Sequence, residues 1–121
     1  MNNQQPESRN KRALGGRQEE KACRFLLQQG LVILERNYRV KVGEIDIIAK
    51  EGDTICFVEV KYRSSKRYGG ANYAISSKKQ KTIRKVASWY IASHKLKQDS
   101  YYRFDAVLID GEDIQYIRNA W

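Results

Sequence analysis

Histidine, cysteine and proline are nearly missing: the 121 residues contain one, two and one of them. A zinc centre therefore has too few ligands to draw on. Cys23 and Cys56 stand at no metal-ligand spacing and lie in apolar surroundings, where small thiols fill cores. Long hydrophobic runs are absent too, the longest being short stretches such as LVIL at 31–34, whereas a membrane-spanning helix needs about 20 residues. No cationic start leads into an apolar stretch at the N-terminus, so no secretory signal is read there and a cytoplasmic protein is the expectation. Acid is missing only locally. Between Val60 and Gln98 there is no Asp or Glu, against eleven Lys and Arg.

That block dominates the electrostatics. The whole chain holds 23 basic and 14 acidic residues, net +9, and outside the block the acids outnumber the bases. One-signed charge on this scale points to a polyanion, nucleic acid or an anionic surface. A chain of this length with 41% hydrophobic residues forms one domain with one modest core. The first residues, MNNQQPESRNKR, are polar, and 1–13 is read as a flexible basic arm preceding a single domain over 14–121.

Periodicity supplies the elements. From Arg17 to Gln29, Ala22, Cys23, Phe25, Leu26 and Leu27 recur at helical spacing, and Gly30 stops the helix. LVILERNYRV (31–40), GEIDIIAK (43–50) and TICFVEVK (54–61) read as three consecutive strands, the last two joined by a Gly52-Asp53 hairpin turn. After a Gly-, Ser- and Tyr-containing loop, Ile83, Val86, Ala87, Tyr90 and Ile91 trace a second helix from Ser77 to about His94. Its basic residues crowd at the N-terminal end, against the macrodipole, which suits recruitment of an external anion better than helix stability. YYRFDAVLID (101–110) and DIQYIRNAW (113–121) close the chain as two strands. The order is αβββαββ, a mixed α/β domain.

Strand alternation then sorts the carboxylates. Glu44, Asp46 and Ile48 share one face of the second strand, opposite Ile45, Ile47 and Ala49; on the third, Phe57, Glu59 and Lys61 share a face. If Gly52-Asp53 is the turn, Glu51 meets Thr54 and Asp46 comes to lie opposite Glu59, a pairing that a one-residue slip would destroy. Two adjacent carboxylates repel, and a cation offsets the repulsion. A hard divalent ion binds through one or two carboxylates and completes its shell with water and phosphate oxygens. Lys61 stands where it could orient water or steady developing negative charge. The plain alternative is a solvated strand face with a weak ion pair, since Glu-x-Lys on a strand is common. Glu19 projects with Ala22, Cys23 and Leu26 toward the packed side of the first helix, where an acid needs a partner; Glu20 lies nearer the boundary. First-turn acids also simply favour a helix N-terminus.

Taken together, LGGRQEEKACRFL, RNYRVKVGEIDIIA, FVEVKYRSSKRYG, AISSKKQ and YRFDAVLI resemble, in that order, the YraN-like family of bacterial endonuclease-related proteins. That family is similar to the PD-(D/E)XK nucleases and, in fold, to Holliday junction resolvases. The resemblance covers the chain from Leu14 onward. It implies a restriction-endonuclease-like mixed sheet flanked by helices, and Mg²⁺- or Mn²⁺-dependent phosphodiester hydrolysis. Asp46 matches the motif aspartate, and Glu59 and Lys61 match the (D/E)XK, with Asp46 and Glu59 as metal ligands. Glu19 matches the helical glutamate, although Gln18 precedes it where the family has glycine, and Ile45 stands where the superfamily has proline. Glu44, Arg63, Gly69, Lys79 and Gln80 fall on further matching positions.

The expected function is a metal-dependent endonuclease acting on nucleic acid, DNA ahead of RNA, branched or single-stranded forms included. Asp46, Glu59, Lys61 and Glu19 would be catalytic, Glu44 and Gln80 supporting. Arg63, Lys66, Arg67, Lys78, Lys79, Lys81 and Arg84 would contact nucleic acid. The alternative is a non-catalytic nucleic-acid-binding module on the same fold, with Tyr62, Tyr68, Tyr73 and Trp89 available to stack on unpaired bases, or else, for the helical aromatics, to pack. A homodimer is expected from the resemblance alone. Membrane association is not expected, because the second helix needs its apolar stripe for the core. Arg103 and Asp105 are read as a structural ion pair, and His94 as a capping or solvent-facing residue.

Overall fold

The computed structural model describes residues 7–63 and 75–121. The elements are α1 (Glu7–Gln28), β1 (Val32–Val40), β2 (Gly43–Glu51), β3 (Thr54–Arg63), α2 (Ser77–Ser93), β4 (Tyr101–Asp110) and β5 (Asp113–Ile117), in the expected αβββαββ order. The five strands lie in chain order in one sheet, antiparallel except for the parallel pair β3 and β4. A parallel pair cannot be joined by a tight turn, and α2 is the crossover that joins this one.

Each helix covers one face. Ala22, Cys23 and Leu26 of α1 pack on Ile47, Ala49, Cys56, Val58, Val107 and Ile109. On the other side Ile83, Val86, Ala87 and Tyr90 of α2 pack on Ile45, Ile48 and Phe57. The central strands are buried from both sides, which is why Ile47–Ala49 and Cys56–Val58 read as continuous apolar runs rather than alternations.

Two boundaries and one strand's alternation differ from the expectation. Helix α1 begins at Glu7, so the segment from 7 to 13 read as part of an arm is helical; Glu, Arg, Lys and Ala are good helix formers even without an apolar repeat. Residues 1–6 lie outside the described ones. β5 stops at Ile117, because Asn119 turns into the left-handed region at φ 55°. The third difference bears on the site. Ile45 joins the α2 side with Ile48, whereas Ile47 and Ala49 face α1, so the alternation of β2 slips at Asp46. Opposite that point on β1 stands Asn37, at φ 53°, between the pairs Arg36↔Ile47 and Tyr38↔Ile45. Asn tolerates this conformation better than other side-chain-bearing residues, and the β1–β2 register runs on unshifted past it, the shift in this pair lying between Ile33 and Glu35.

Candidate functional site

The β2–β3 hairpin has the expected register: Glu51 pairs with Thr54, and the ladder continues to Ile47↔Val58. Gly52 takes the left-handed conformation the turn requires, at φ 59°. One step past the last pair, the Asp46 carboxylate takes over from the backbone, its Oδ2 accepting the Val60 N–H at 2.8 Å. The ladder ends one pair short of Asp46 and Glu59, and the two carboxyls are close enough for the charge of one to act on the other.

Burial pushes the Asp46 carboxyl well above the usual carboxylate range, and the nearby charge of Glu59 pushes it further. The Val60 amide and the Lys79 ammonium oppose the rise. Glu59 itself is buried, at 5% exposure. Its Oε2 lies 3.6 Å from Lys79 Nζ on α2, while Oε1 is buried with no hydrogen-bond partner. An orphaned carboxylate oxygen beside a second carboxyl is an anionic donor set short of positive charge. Its chemistry suits a hard cation that needs only two carboxylates from the protein.

Glu19 on α1 lies within electrostatic reach of Asp46. Partial burial raises its carboxyl, and the charges of Asp46 and Glu44 raise it further, while a hydrogen bond from Asn37 lowers it. Among the described residues no group of three or more His, Cys, Asp or Glu is already gathered as a metal cage. Glu44 is held 3.4 Å from Arg39. Lys61, half-buried, continues β3 on the Glu59 face.

The basic residues do not act alike. Ser76 caps α2, its Oγ accepting the Lys79 N–H at 3.1 Å, and Gln80 Nε2 donates to the Ile75 carbonyl at 2.8 Å, which ties the helix start to the preceding chain. Lys79 turns inward to Glu59, while Lys78, Lys81 and Lys85 are exposed. Arg84 lays its guanidinium over the Phe104 ring, 4.6 Å from the centroid. Lys66, Arg67, Tyr68, Gly69 and Tyr73 lie outside the described residues, as does the side chain of Arg63. Of the helical aromatics Tyr90 packs in the core but Trp89 does not, at 56% exposure.

Two participants were not apparent from sequence. Asn37 bonds Glu19, and an Asn inside a β-branched and aromatic strand was the available signal for it. Lys79 as the counter-ion of Glu59 had no local signal, because the two meet only through the packing of α2.

A second polar cluster lies toward the hairpin end of the sheet. Asp105, fully buried, accepts from Arg103 Nε at 2.9 Å and Nη2 at 3.0 Å, from the Asn119 N–H at 2.9 Å and from the Tyr116 hydroxyl. Arg103 also donates to Glu51 at 2.7 Å, and Arg118 grips the same Glu51 with two bonds of 2.9 and 2.8 Å. The expected ion pair is present and structural, bracing the hairpin against β4 and β5. Desolvation beside it pushes the Cys56 thiol up to about 12, consistent with an inert core thiol. His94 caps the C-terminal end of α2 and stacks on Tyr90. Among the described residues, no helix is long and apolar enough to cross a membrane.

The chain is similar to a UPF0102 protein of Nitrosomonas europaea, 50% identical over 110 residues covering 88% of this chain and 92% of that protein. A UPF0102 protein of Caldicellulosiruptor saccharolyticus is 47% identical over 118 residues, covering 93% and 99%. One from Shewanella loihica is 45% identical over 107 residues, covering 88% and 92%. The model of Uncharacterised protein family UPF0102 matches residues 18–109, a span that holds Glu19, Asp46, Glu59, Lys61 and the start of α2. The chain belongs to this family, the YraN-like group whose motifs it carries.

Proposed function

We propose that the chain is a divalent-metal-dependent phosphodiesterase of nucleic acid, with Asp46 and Glu59 holding Mg²⁺ or Mn²⁺. The observation that carries this reading is the closeness of two desolvated carboxyls, one with an orphaned buried oxygen. Two buried acids side by side are costly, and a cation relieves the cost. When bound, the ion supplies Lewis-acid polarisation of a phosphodiester and a lowered pKa for water.

The residues of the chain do the rest. The Val60 N–H fixes one oxygen of Asp46, and Lys79 fixes one of Glu59, so that the remaining oxygens are aimed. Lys61 sits beyond Glu59 on the same face, placed to orient water or to stabilise charge on phosphate. Glu19, within electrostatic reach of Asp46 and beside Asn37, supports the same ion directly or through water. Lys78 and Lys81, exposed at the start of α2, hold phosphates.

The test is cleavage of single-stranded, duplex and branched DNA and of RNA by purified protein with Mg²⁺ or Mn²⁺, against Asp46→Ala and Glu59→Ala. Activity lost in both variants is the expected result. Absence of any cleavage above the variants overturns the reading.

One observation favours a second reading. Lys79 already supplies Glu59 with an internal cation, which suits a binding module that has no need of metal. Salt-sensitive binding unchanged in Asp46→Ala, with no hydrolysis by the wild type, would select it.

A further inference from the structure

Helix α2 uses Ile83, Val86, Ala87 and Tyr90 for the core, and Trp89 is not needed there. Its ring is 56% exposed and forms one wall of an open recess of about 430 Å³, whose other lining residues are Val42, Lys85, Ser88 and Ala92. Val42, in the β1–β2 turn, is itself 47% exposed. A single exposed aromatic is ordinary, but this one ends a row. Lys78, Lys81, Lys85 and Trp89 recur at i, i+3, i+7 and i+11, one stripe of the helix, and all four are exposed. At about 1.5 Å per residue the stripe runs about 16 Å, from the end of α2 that holds Lys79 and hence Glu59 to the recess. No acid lies on α2 or anywhere from Val60 to Gln98 to neutralise the row.

We infer that this stripe binds a single strand: phosphates track Lys78, Lys81 and Lys85, and an unpaired base stacks on Trp89 in the recess. The inference rests on the nucleic-acid reading of the carboxylate site and adds a substrate class to it. The chemistry selects unpaired over paired nucleotides, because a base inside a duplex has no free face to offer an indole, whereas phosphates alone are offered by both. The one-signed rim argues for a polyanion rather than an apolar peptide as the occupant.

The test measures affinity of the full chain for labelled oligo-dT and for a duplex of equal strand length, in the wild type, Trp89→Ala and Trp89→Phe, with cleavage followed in parallel. Trp89→Ala is expected to weaken oligo-dT binding about tenfold or more, Trp89→Phe to restore most of it, and duplex affinity to stay unchanged. In a Trp121→Phe background, oligo-dT should quench the Trp89 emission. Oligo-dT affinity unchanged in Trp89→Ala, while metal-dependent cleavage persists, overturns this inference and leaves the carboxylate reading standing. No binding of any nucleic acid by the wild type overturns both. A blue shift of Trp89 emission with phosphatidylglycerol vesicles, with no quench by oligo-dT, also overturns it by identifying a lipid surface as the occupant.

Discussion

Replacing Asp46 with Asn should stabilise the metal-free protein while abolishing its response to divalent ions. Two carboxylates in contact repel by about 4 kcal/mol at the effective dielectric of a protein boundary. Lys79, 3.6 Å from Glu59, offsets part of this, leaving a net destabilisation of about 1–3 kcal/mol. Asn keeps the shape, its amide oxygen can still accept the Val60 N–H, and its NH₂ can donate to Glu59. The sign follows from the direction of the shift. The carboxyl of Asp46 is raised on folding, so its charge costs nothing below the ordinary aspartate range. The cost grows as pH rises through that range and is complete above the folded value. The gap between variant and wild type should therefore widen from acid to mildly alkaline pH.

Thermal denaturation in EDTA across that range measures the gap, a rise of a few degrees per kcal/mol being expected for a domain of this size. Adding Mg²⁺ or Mn²⁺ should raise the wild-type Tm by mass action and leave Asp46→Asn where it was. An Asn variant that is less stable than wild type in EDTA at mildly alkaline pH, or a gap that does not vary with pH, would refute the account of Asp46 and Glu59 as a strained pair.

The hairpin end should behave in the opposite way. Hydrogen bonds from Arg118 and Arg103 hold the Glu51 carboxyl down at about 2, so its contribution is full above the ordinary glutamate range and is lost as pH falls toward 2. Glu51→Gln should cost about 1–2 kcal/mol at neutral pH, after allowance for solvent screening, and flatten the acid limb of a urea-denaturation profile. Arg103→Met strands the fully buried Asp105 and should cost about 3–5 kcal/mol, of which adding Asp105→Asn recovers part in a double-mutant cycle. Gly43→Ala should cost about 1–3 kcal/mol, since a Cβ there would stand 2.5 Å from Thr82 Cγ2, a stiff β-branched side chain; Thr82→Ser, which removes that methyl, should relieve most of the loss.

What the sequence made legible was what depends on local chemistry and short counting. The Gly52 turn sufficed to set the register from Glu51↔Thr54 to Ile47↔Val58, next to Asp46 and Glu59, because a two-residue hairpin leaves the register no freedom. Helix α2 could be read to within a residue from its apolar stripe, whereas the Ser76 cap that starts it was not read. The slip of alternation at Asp46 could not be read. It coincides with a left-handed Asn37 on the neighbouring strand, and a side chain that captures a backbone amide in place of a ladder bond has no periodic signature. The bonds that join Glu51 to Arg103 and Arg118 cross 52 and 67 residues of chain, and no local pattern announces them.

The basic block illustrates the same limit quantitatively. Counting charge treats eleven cations as equivalent, whereas folding divides them. Lys79 is drawn to a buried carboxylate and Arg84 is laid on Phe104, while Lys78, Lys81 and Lys85 remain in solvent. Only a cation whose counter-ion is a mobile salt ion releases one on meeting a phosphate. Under the nucleic-acid reading, then, Lys81→Gln should reduce the slope of log K against log salt by about 0.7–0.9. Lys79→Gln should leave that slope nearly unchanged, because its charge is already spent on Glu59. Anisotropy titrations over a range of salt concentrations separate the two. Equal losses of slope would mean that Lys79 leaves Glu59 for the phosphate, and that the carboxylate pair then depends on another cation.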